Sequence, residues 1–138
     1  MLEFNLFLID YWYFSVPLFF FIFLFAYSEM NKGGKKIEPN ELTRLVNKES
    51  AILIDLRKKE DYENGHILNA LNYPHQEFDN QMHELEKFKD RPIILVCDMG
   101  RNSANIGEKL KKAEFEKTFR LNGGMMTWTQ ENLPVVQK

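Results

Sequence analysis

Pro92-Ile-Ile-Leu-Val-Cys97-Asp-Met-Gly-Arg-Asn-Ser103 is the stretch on which the fold turns. Its opening run is continuously apolar and rich in branched side chains, the composition of a short strand buried on both faces. The run stops at the single cysteine of the chain, a short loop containing Gly100 follows, and a helix is predicted from Ser103 to Lys112 with Ala104, Ile106 and Leu110 at helical spacing. A strand, a tight loop and a helix start in immediate succession describe an α/β unit whose loop lies beyond the carboxyl end of a parallel strand, where ligand chemistry collects in such sheets. The unsatisfied N–H groups and positive dipole end of the helix favour an anion there, and thiol pKa values fall at such places. The residues alone leave two readings of Cys97 open: a nucleophilic thiolate, and a small apolar side chain that closes a buried strand, since free cysteine is among the most buried residue types.

Outward from this stretch the alternation continues. Upstream, Asn40 after Pro39 is a plausible N-cap, and Leu42, Leu45 and Val46 predict an amphipathic helix from Glu41 to Lys48. Ala51-Ile-Leu-Ile-Asp-Leu56 reads as a buried strand, Lys58 to Glu63 as a helical turn ended by Asn64-Gly65, and Ile67 to Tyr73 as a weaker strand stopped by Pro74. Met82, Leu85 and Phe88 share a face of a helix predicted from Glu77 to Phe88, which the residues Lys89-Asp-Arg-Pro92 end. Downstream, Lys117 to Leu121 is another short strand, and Asn122-Gly-Gly124 turns into a last helix that carries Met126 and Trp128 and ends near Asn132-Leu-Pro134. Strands separated by helices predict a mostly parallel sheet with helices on both faces.

The first thirty residues are a different material. Tyr11 to Tyr27 is uncharged and strongly apolar, and as a helix it reaches about 25 Å, just enough to cross a bilayer core. Asp10 should sit at an interface, because an acid at the bilayer centre costs about 2.5 to 3.5 kcal/mol. Tyr11, Trp12 and Tyr13 at one end and Tyr27 at the other resemble the aromatic belts of headgroup level, and Pro17 is tolerable inside a membrane helix. A cleaved signal peptide fits poorly: Glu3 and Asp10 precede the apolar run without any lysine or arginine, and no small-x-small site follows. A buried helix of the folded domain is the other alternative, and a phenylalanine-rich run of this length disfavours it. Lys32, Lys35 and Lys36 all follow the span, which by the positive-inside rule places the N-terminus outside and the C-terminal part in the cytoplasm. The expected organisation is therefore a transmembrane anchor over residues 1–28 in contact with the lipid bilayer through Tyr11 to Tyr27, a linker over 29–36, and a folded domain over 37–138. The expected location is the inner (plasma) membrane, single-pass, with the catalytic domain cytoplasmic.

Composition narrows the function. The formal net charge is -2 with both signs interspersed, and the pairs Lys35-Lys36 and Lys111-Lys112 are too short for a basic stripe, so no nucleic-acid partner is expected. One cysteine cannot form an internal disulfide, and His66, His75 and His83 are scattered without a metal-ligand pattern. No metal site is expected, and the thiol is most simply a reduced one. His75 and His83 have no partners readable from the sequence.

Four separated segments resemble the rhodanese, or sulfurtransferase, domain: Ile54-Asp-Leu-Arg57, Gly65-His-Ile67 followed by Asn69-Ala70, the Cys97 loop, and Leu121-Asn-Gly-Gly124 with Trp128 and Leu133-Pro134. With the apolar N-terminus, the chain resembles the small membrane-anchored single-domain rhodaneses of bacteria. The resemblance implies an α/β, three-layer domain with a central, mostly parallel sheet flanked by helices and preceded by one N-terminal transmembrane helix. It implies that Cys97 takes sulfane sulfur from a small donor or a protein persulfide, becomes a persulfide, and passes the outer sulfur to a thiol or another nucleophile by a ping-pong route. No metal or organic cofactor is implied. The substrate-binding loop is then Asp98, Met99, Gly100, Arg101, Asn102 and Ser103, whose backbone N–H groups wrap the sulfur anion, with Gly100 supplying a positive φ in the curl.

The loop departs from the family's commonest pattern, in which a polar or basic residue follows the cysteine and arginine precedes the final serine. Here Asp98 follows the cysteine and Arg101 stands one place early, before Asn102. An acid about 6 Å from a thiolate opposes its ionisation by roughly 0.7 to 2.8 kcal/mol, against about 0.3 to 1 kcal/mol returned by a helix terminus, and Arg101 offsets part of this only if it faces the site. The balance favours a thiol persulfide or protein donor over an anionic one, and it keeps open an alternative: a catalytically weak module that docks a membrane-protein partner at the inner face. Phosphatase chemistry is disfavoured, because the arginine that grips phosphate in related loops is replaced by Ser103. Asp55, Arg57 and His66 are expected to support the structure, the first two by tying a strand end to its neighbours and the histidine by fixing a loop through its ring nitrogens. Met125, Met126 and Trp128 are read as core or pocket wall.

Overall fold

The computed structural model of the chain describes residues 1–30 and 33–137, which fall into two units, the apolar N-terminal stretch and the domain after it. In the first unit, α1 (Leu2–Asp10) and α2 (Trp12–Met30) meet at Tyr11, whose backbone leaves the helical region at φ -115 and ψ 36. α2 runs on through Pro17. At 19 residues it is about 28 Å long. The window Trp12–Glu29 is long and apolar enough to cross a membrane, and none of it is buried within the structure.

The second unit is built around five parallel strands in the order β1-β5-β4-β2-β3: β1 (Lys35–Ile37), β2 (Ile52–Asp55), β3 (Leu71–Asn72), β4 (Ile93–Val96) and β5 (Thr118–Leu121). Between them lie α3 (Pro39–Glu49), α4 (Lys59–Asn64), α5 (Phe78–Gln81) with a 3-10 segment Met82–Phe88, and α6 (Arg101–Lys112), and α7 (Gly124–Gln130) follows β5. β4 alternates cleanly between the two faces. Ile94 and Val96 join Leu42 and Leu45 of α3 and Met125 and Trp128 of α7 on one side. Ile93, Leu95 and Cys97 join Phe78 of α5, Leu85, and Ile106 and Leu110 of α6 on the other. The chain steps outward from β2 to β3, then returns to lay β4 on the opposite side of β2, so the end of β4 opens at a topological switch point.

The α/β fold with helices on both faces is the one expected, and several elements differ in detail. Lys35 and Lys36, read as linker, are strand residues, and Gly33 and Gly34 before them are buried; Asn31 and Lys32 of that linker lie outside the described residues. Three residues carry no readable period, and pairing with Phe119, Arg120 and Leu121 makes β1 a strand. α3 begins at Pro39 with Glu38 as its cap in place of Asn40, because the fixed φ of proline suits a first helical turn. α6 likewise starts two residues early, at Arg101. The strand predicted over Ile67 to Tyr73 shrinks to Leu71–Asn72, since Asn69 adopts φ 68 and the chain turns there. The helix predicted over Glu77 to Phe88 is mostly 3-10. Met82, Leu85 and Phe88 are spaced by three, which lines them along one edge of a three-residue-per-turn helix.

Candidate functional site

The site begins where β4 ends. Cys97 continues the face of Ile93 and Leu95 and is 2 % exposed. After it the chain curls back within three residues, and the Gly100 N–H donates to Cys97 Sγ at 2.8 Å. That curl needs Gly100 at φ 89, the left-handed region that glycine enters without penalty. Ser103, fully buried in the first turn of α6, donates its hydroxyl to the Gly100 carbonyl at 2.9 Å and ties loop to helix. A second helix start holds the other side: the Met125 and Met126 N–H groups of α7 donate to the carbonyls of Cys97 and Asp98 at 2.7 and 3.0 Å. The approach is so close that a Cβ on Gly124 would lie 2.1 Å from the Cys97 carbonyl oxygen.

The side chains of the loop point elsewhere. Asp98, Arg101 and Asn102 are exposed, and Met99 at the tip is 49 % exposed. Asp98 borders a recess of about 270 Å³ shared with Arg57, Asp61, Asn64 and Met125. Arg101 makes no hydrogen bond or ion pair among the described residues, so the offset expected of it against Asp98 is not found as a contact. Asp55, 1 % exposed, takes two hydrogen bonds from the Arg57 Nε and Nη2 at 3.1 and 2.8 Å and a third from the Arg57 N–H at 2.9 Å. Arg57 Nη2 also donates to the Gly65 carbonyl at 2.6 Å. The pair thus fastens the end of β2 to the end of α4. His66 stacks on Tyr62 with ring centroids 3.8 Å apart, its Nδ1 lies 2.7 Å from the Tyr62 carbonyl, and its backbone forms an antiparallel bridge with Val136. Trp128 donates its indole N–H to the Pro134 carbonyl at 3.0 Å and packs in the core, as do Met125 and Ile67.

One residue of the site escapes the sequence reading. Arg120 on β5 is 5 % exposed and pairs in register with Leu95, two residues before Cys97 and on the same face of the sheet. Its Nε donates to the Gly34 carbonyl at 3.1 Å. Burial pushes the guanidinium below the usual arginine range, and the charge of the Cys97 sulfur pulls it the other way. A signal was present: Arg120 alternates with Phe119 and Leu121 in a strand predicted to be covered on both faces, so one face of that strand had to bury a charge.

The sequence profile of the rhodanese-like domain matches residues 38–131, from the start of α3 to the end of α7. The chain belongs to this family. The rhodanese-like chain is 36% identical over 123 residues to uncharacterized protein YibN of Escherichia coli K12, covering 88% of this chain and 86% of that one. It is 28% identical over 98 residues to thiosulfate sulfurtransferase GlpE of Shewanella oneidensis, covering 71% of this chain and 95% of the relative. Among solved structures, a rhodanese-related protein from Thermoplasma volcanium superposes with a TM-score of 0.68 at 25% identity, over 75% of this chain and 99% of the other. Sulfurtransferases are therefore among the relatives of this rhodanese-like domain, and the fold and family implied by the four sequence segments are both found.

Proposed function

We propose that this chain is a membrane-anchored sulfurtransferase that carries sulfane sulfur as a persulfide on Cys97. The observation that carries the reading is the Gly100 N–H aimed at Cys97 Sγ at 2.8 Å inside a loop closed by two helix starts. A backbone donor fixed on a sulfur stabilises the anion, whether thiolate or persulfide, without reorganising during reaction. In the first half-reaction the Cys97 thiolate attacks the sulfane sulfur, a sulfur–sulfur bond forms, and the donor leaves with the electron pair of the bond it loses. In the second, an acceptor thiolate or another nucleophile attacks the outer sulfur and takes it, and the bonding pair returns to Cys97. Asp98, Met99, Arg101, Asn102 and Ser103 form the rim and floor of the loop; Asp55, Arg57 and His66 support the scaffold around it. Thiosulfate, the substrate in the printed name of the Shewanella oneidensis relative, is one donor to try beside a small thiol persulfide.

The anchor is the helix over Trp12–Glu29, none of which is buried within the structure. The lysines that follow it favour a cytoplasmic domain at the inner membrane. One observation supports a second reading, a docking module for a membrane protein: the thiol is 2 % exposed while the apolar Met99 beside it projects outward. Intact mass of the full chain in detergent, after incubation with each donor, separates the two. The sulfurtransferase gains one sulfur atom that is absent in Cys97→Ser and is released by an added thiol. Absence of sulfur gain with both donors overturns the enzyme reading.

A further inference from the structure

Arg120 is a buried cation that meets no acid among the described residues. Its one hydrogen bond among the described residues runs from Nε to a neutral carbonyl, that of Gly34, and it makes no ion pair there. Beside it a recess of about 140 Å³ is lined by Lys36, Met99, Gly100, Ser103, Arg120 and Asn122, together with Leu121 and Gly123, and no aspartate or glutamate borders it. Lys36 of β1, itself exposed, stands in register with Arg120, so two positive residues lie abreast on adjacent strands on the face that carries Cys97. Like charges directly opposite are unfavourable, and a buried charge without a partner is more so. The arrangement favours a negative charge at its border.

That border is the cysteine loop. Leu95 pairs with Arg120, and Cys97 lies two residues further on the same face, which puts the two backbone positions about 8 Å apart by strand geometry. A guanidinium on a long stem spans such a diagonal. The other elements around the thiol bring no competing counter-charge. α6 buries Ser103, Ile106, Gly107 and Leu110, and α5 and the 3-10 segment bring Phe78 and Leu85. Beyond Leu56, His75 places its Nδ1 3.3 Å from the Leu56 carbonyl. Asp55 is spent on Arg57 on the other face of the sheet, and Asp98 and Arg101 of the loop itself are exposed.

We propose that Arg120 is a positioning residue of the cysteine site: its guanidinium is the buried counter-charge of the sulfur anion on Cys97, opposite the Gly100 N–H. The loop grips the sulfur from outside and β5 supplies the balancing charge from within the sheet. For the thiolate this stands on geometry and charge alone; its extension to the persulfide rests on the sulfurtransferase reading. Ionisation sends the thiol proton to solvent and leaves the ion pair.

The test is the pH profile of Cys97 alkylation by iodoacetamide in the full chain in detergent, for wild type, Arg120→Lys and Arg120→Gln, with folding followed by circular dichroism. The expected result is that Arg120→Gln moves the midpoint of the profile up by about one unit and slows alkylation near neutral pH by about tenfold, as loss of a close opposite charge does. Arg120→Lys, which keeps the charge and loses the Nε geometry, retains most of the wild-type profile. A role confined to holding Gly34 predicts the reverse, equal loss of stability in both variants with neither midpoint moved, and that outcome overturns the proposal. Should Arg120→Gln not fold, the wild type decides: its rate ratio for anionic iodoacetate over neutral iodoacetamide must exceed that of glutathione, and a ratio at or below that of glutathione overturns the proposal. Sulfur uptake by mass is scored separately. Uptake without an Arg120 effect removes this inference alone, and an Arg120 effect without uptake removes only the persulfide reading.

Discussion

At the scale of single residues, the site is made by glycines whose substitution costs should separate by mechanism. At Gly100 an added Cβ meets nothing nearer than the Gly123 nitrogen at 3.7 Å, so Gly100→Ala carries only the penalty of the left-handed backbone, about 1 to 2 kcal/mol. Gly124 combines φ 60 with a Cβ placed 2.1 Å from the Cys97 carbonyl, so alanine there must push α7 away from the loop. Thermal melts should rank Gly124→Ala well below Gly100→Ala; equal melting temperatures would refute this account of the close approach. Asp55→Ala leaves the Arg57 guanidinium, whose side chain is only 9% exposed, without its partner, which costs about 3 to 5 kcal/mol. Denaturant unfolding should show that loss without a change in slope. The curl of the chain between Cys97 and Gly100 was legible in the sequence, because a buried strand followed at once by a glycine and a helix start has to turn within a few residues. Arg120 was legible only as a charge that one face of β5 had to bury, and its register against Leu95 is what puts it on the face of Cys97.

At the scale of elements, α6 carries a lesson about what short motifs hide. Gly107 lies mid-helix, where alanine is ordinarily better by about 1 kcal/mol. Here an added Cβ would lie 1.7 Å from the Gly33 carbonyl oxygen. α6 thus lies directly on the backbone leading into β1. Gly107→Ala should therefore destabilise the domain in spite of helix propensity, by about 1 to 3 kcal/mol as overpacking does, lowering the melting temperature by several degrees. A rise in melting temperature would mean that the contact is not formed. Gly33-Gly34 looked like a linker because glycine pairs between polar residues usually are. Its burial depends on a partner seventy positions away, which no local pattern reports. β4, by contrast, is a continuous apolar run, and β2 is one up to its last residue, Asp55, and such runs are self-announcing. The 3-10 segment falls between these cases: its apolar spacing was visible, and its tighter winding, three residues per turn against nearly four, was not.

At the scale of the whole chain, the anchor proposal makes the most direct prediction. The full protein should stay with the membrane pellet through alkaline extraction and be released by detergent. A reporter active only outside the cytoplasm and fused after Lys138 should stay silent, while one active only inside should be bright; the opposite pattern would reverse the orientation argued from Lys32, Lys35 and Lys36. Length, hydropathy and flanking charge carry this expectation, because a bilayer imposes a thickness that a sequence must match. The sheet, finally, has borders as well as a centre. Its outer strands are β1, three residues with two lysines, and β3, two residues long. Neither rim offers the long row of open backbone groups that invites another strand to add on. Growth of the sheet by edge-to-edge pairing is therefore disfavoured, which leaves side chains and loops as the surfaces a partner would read.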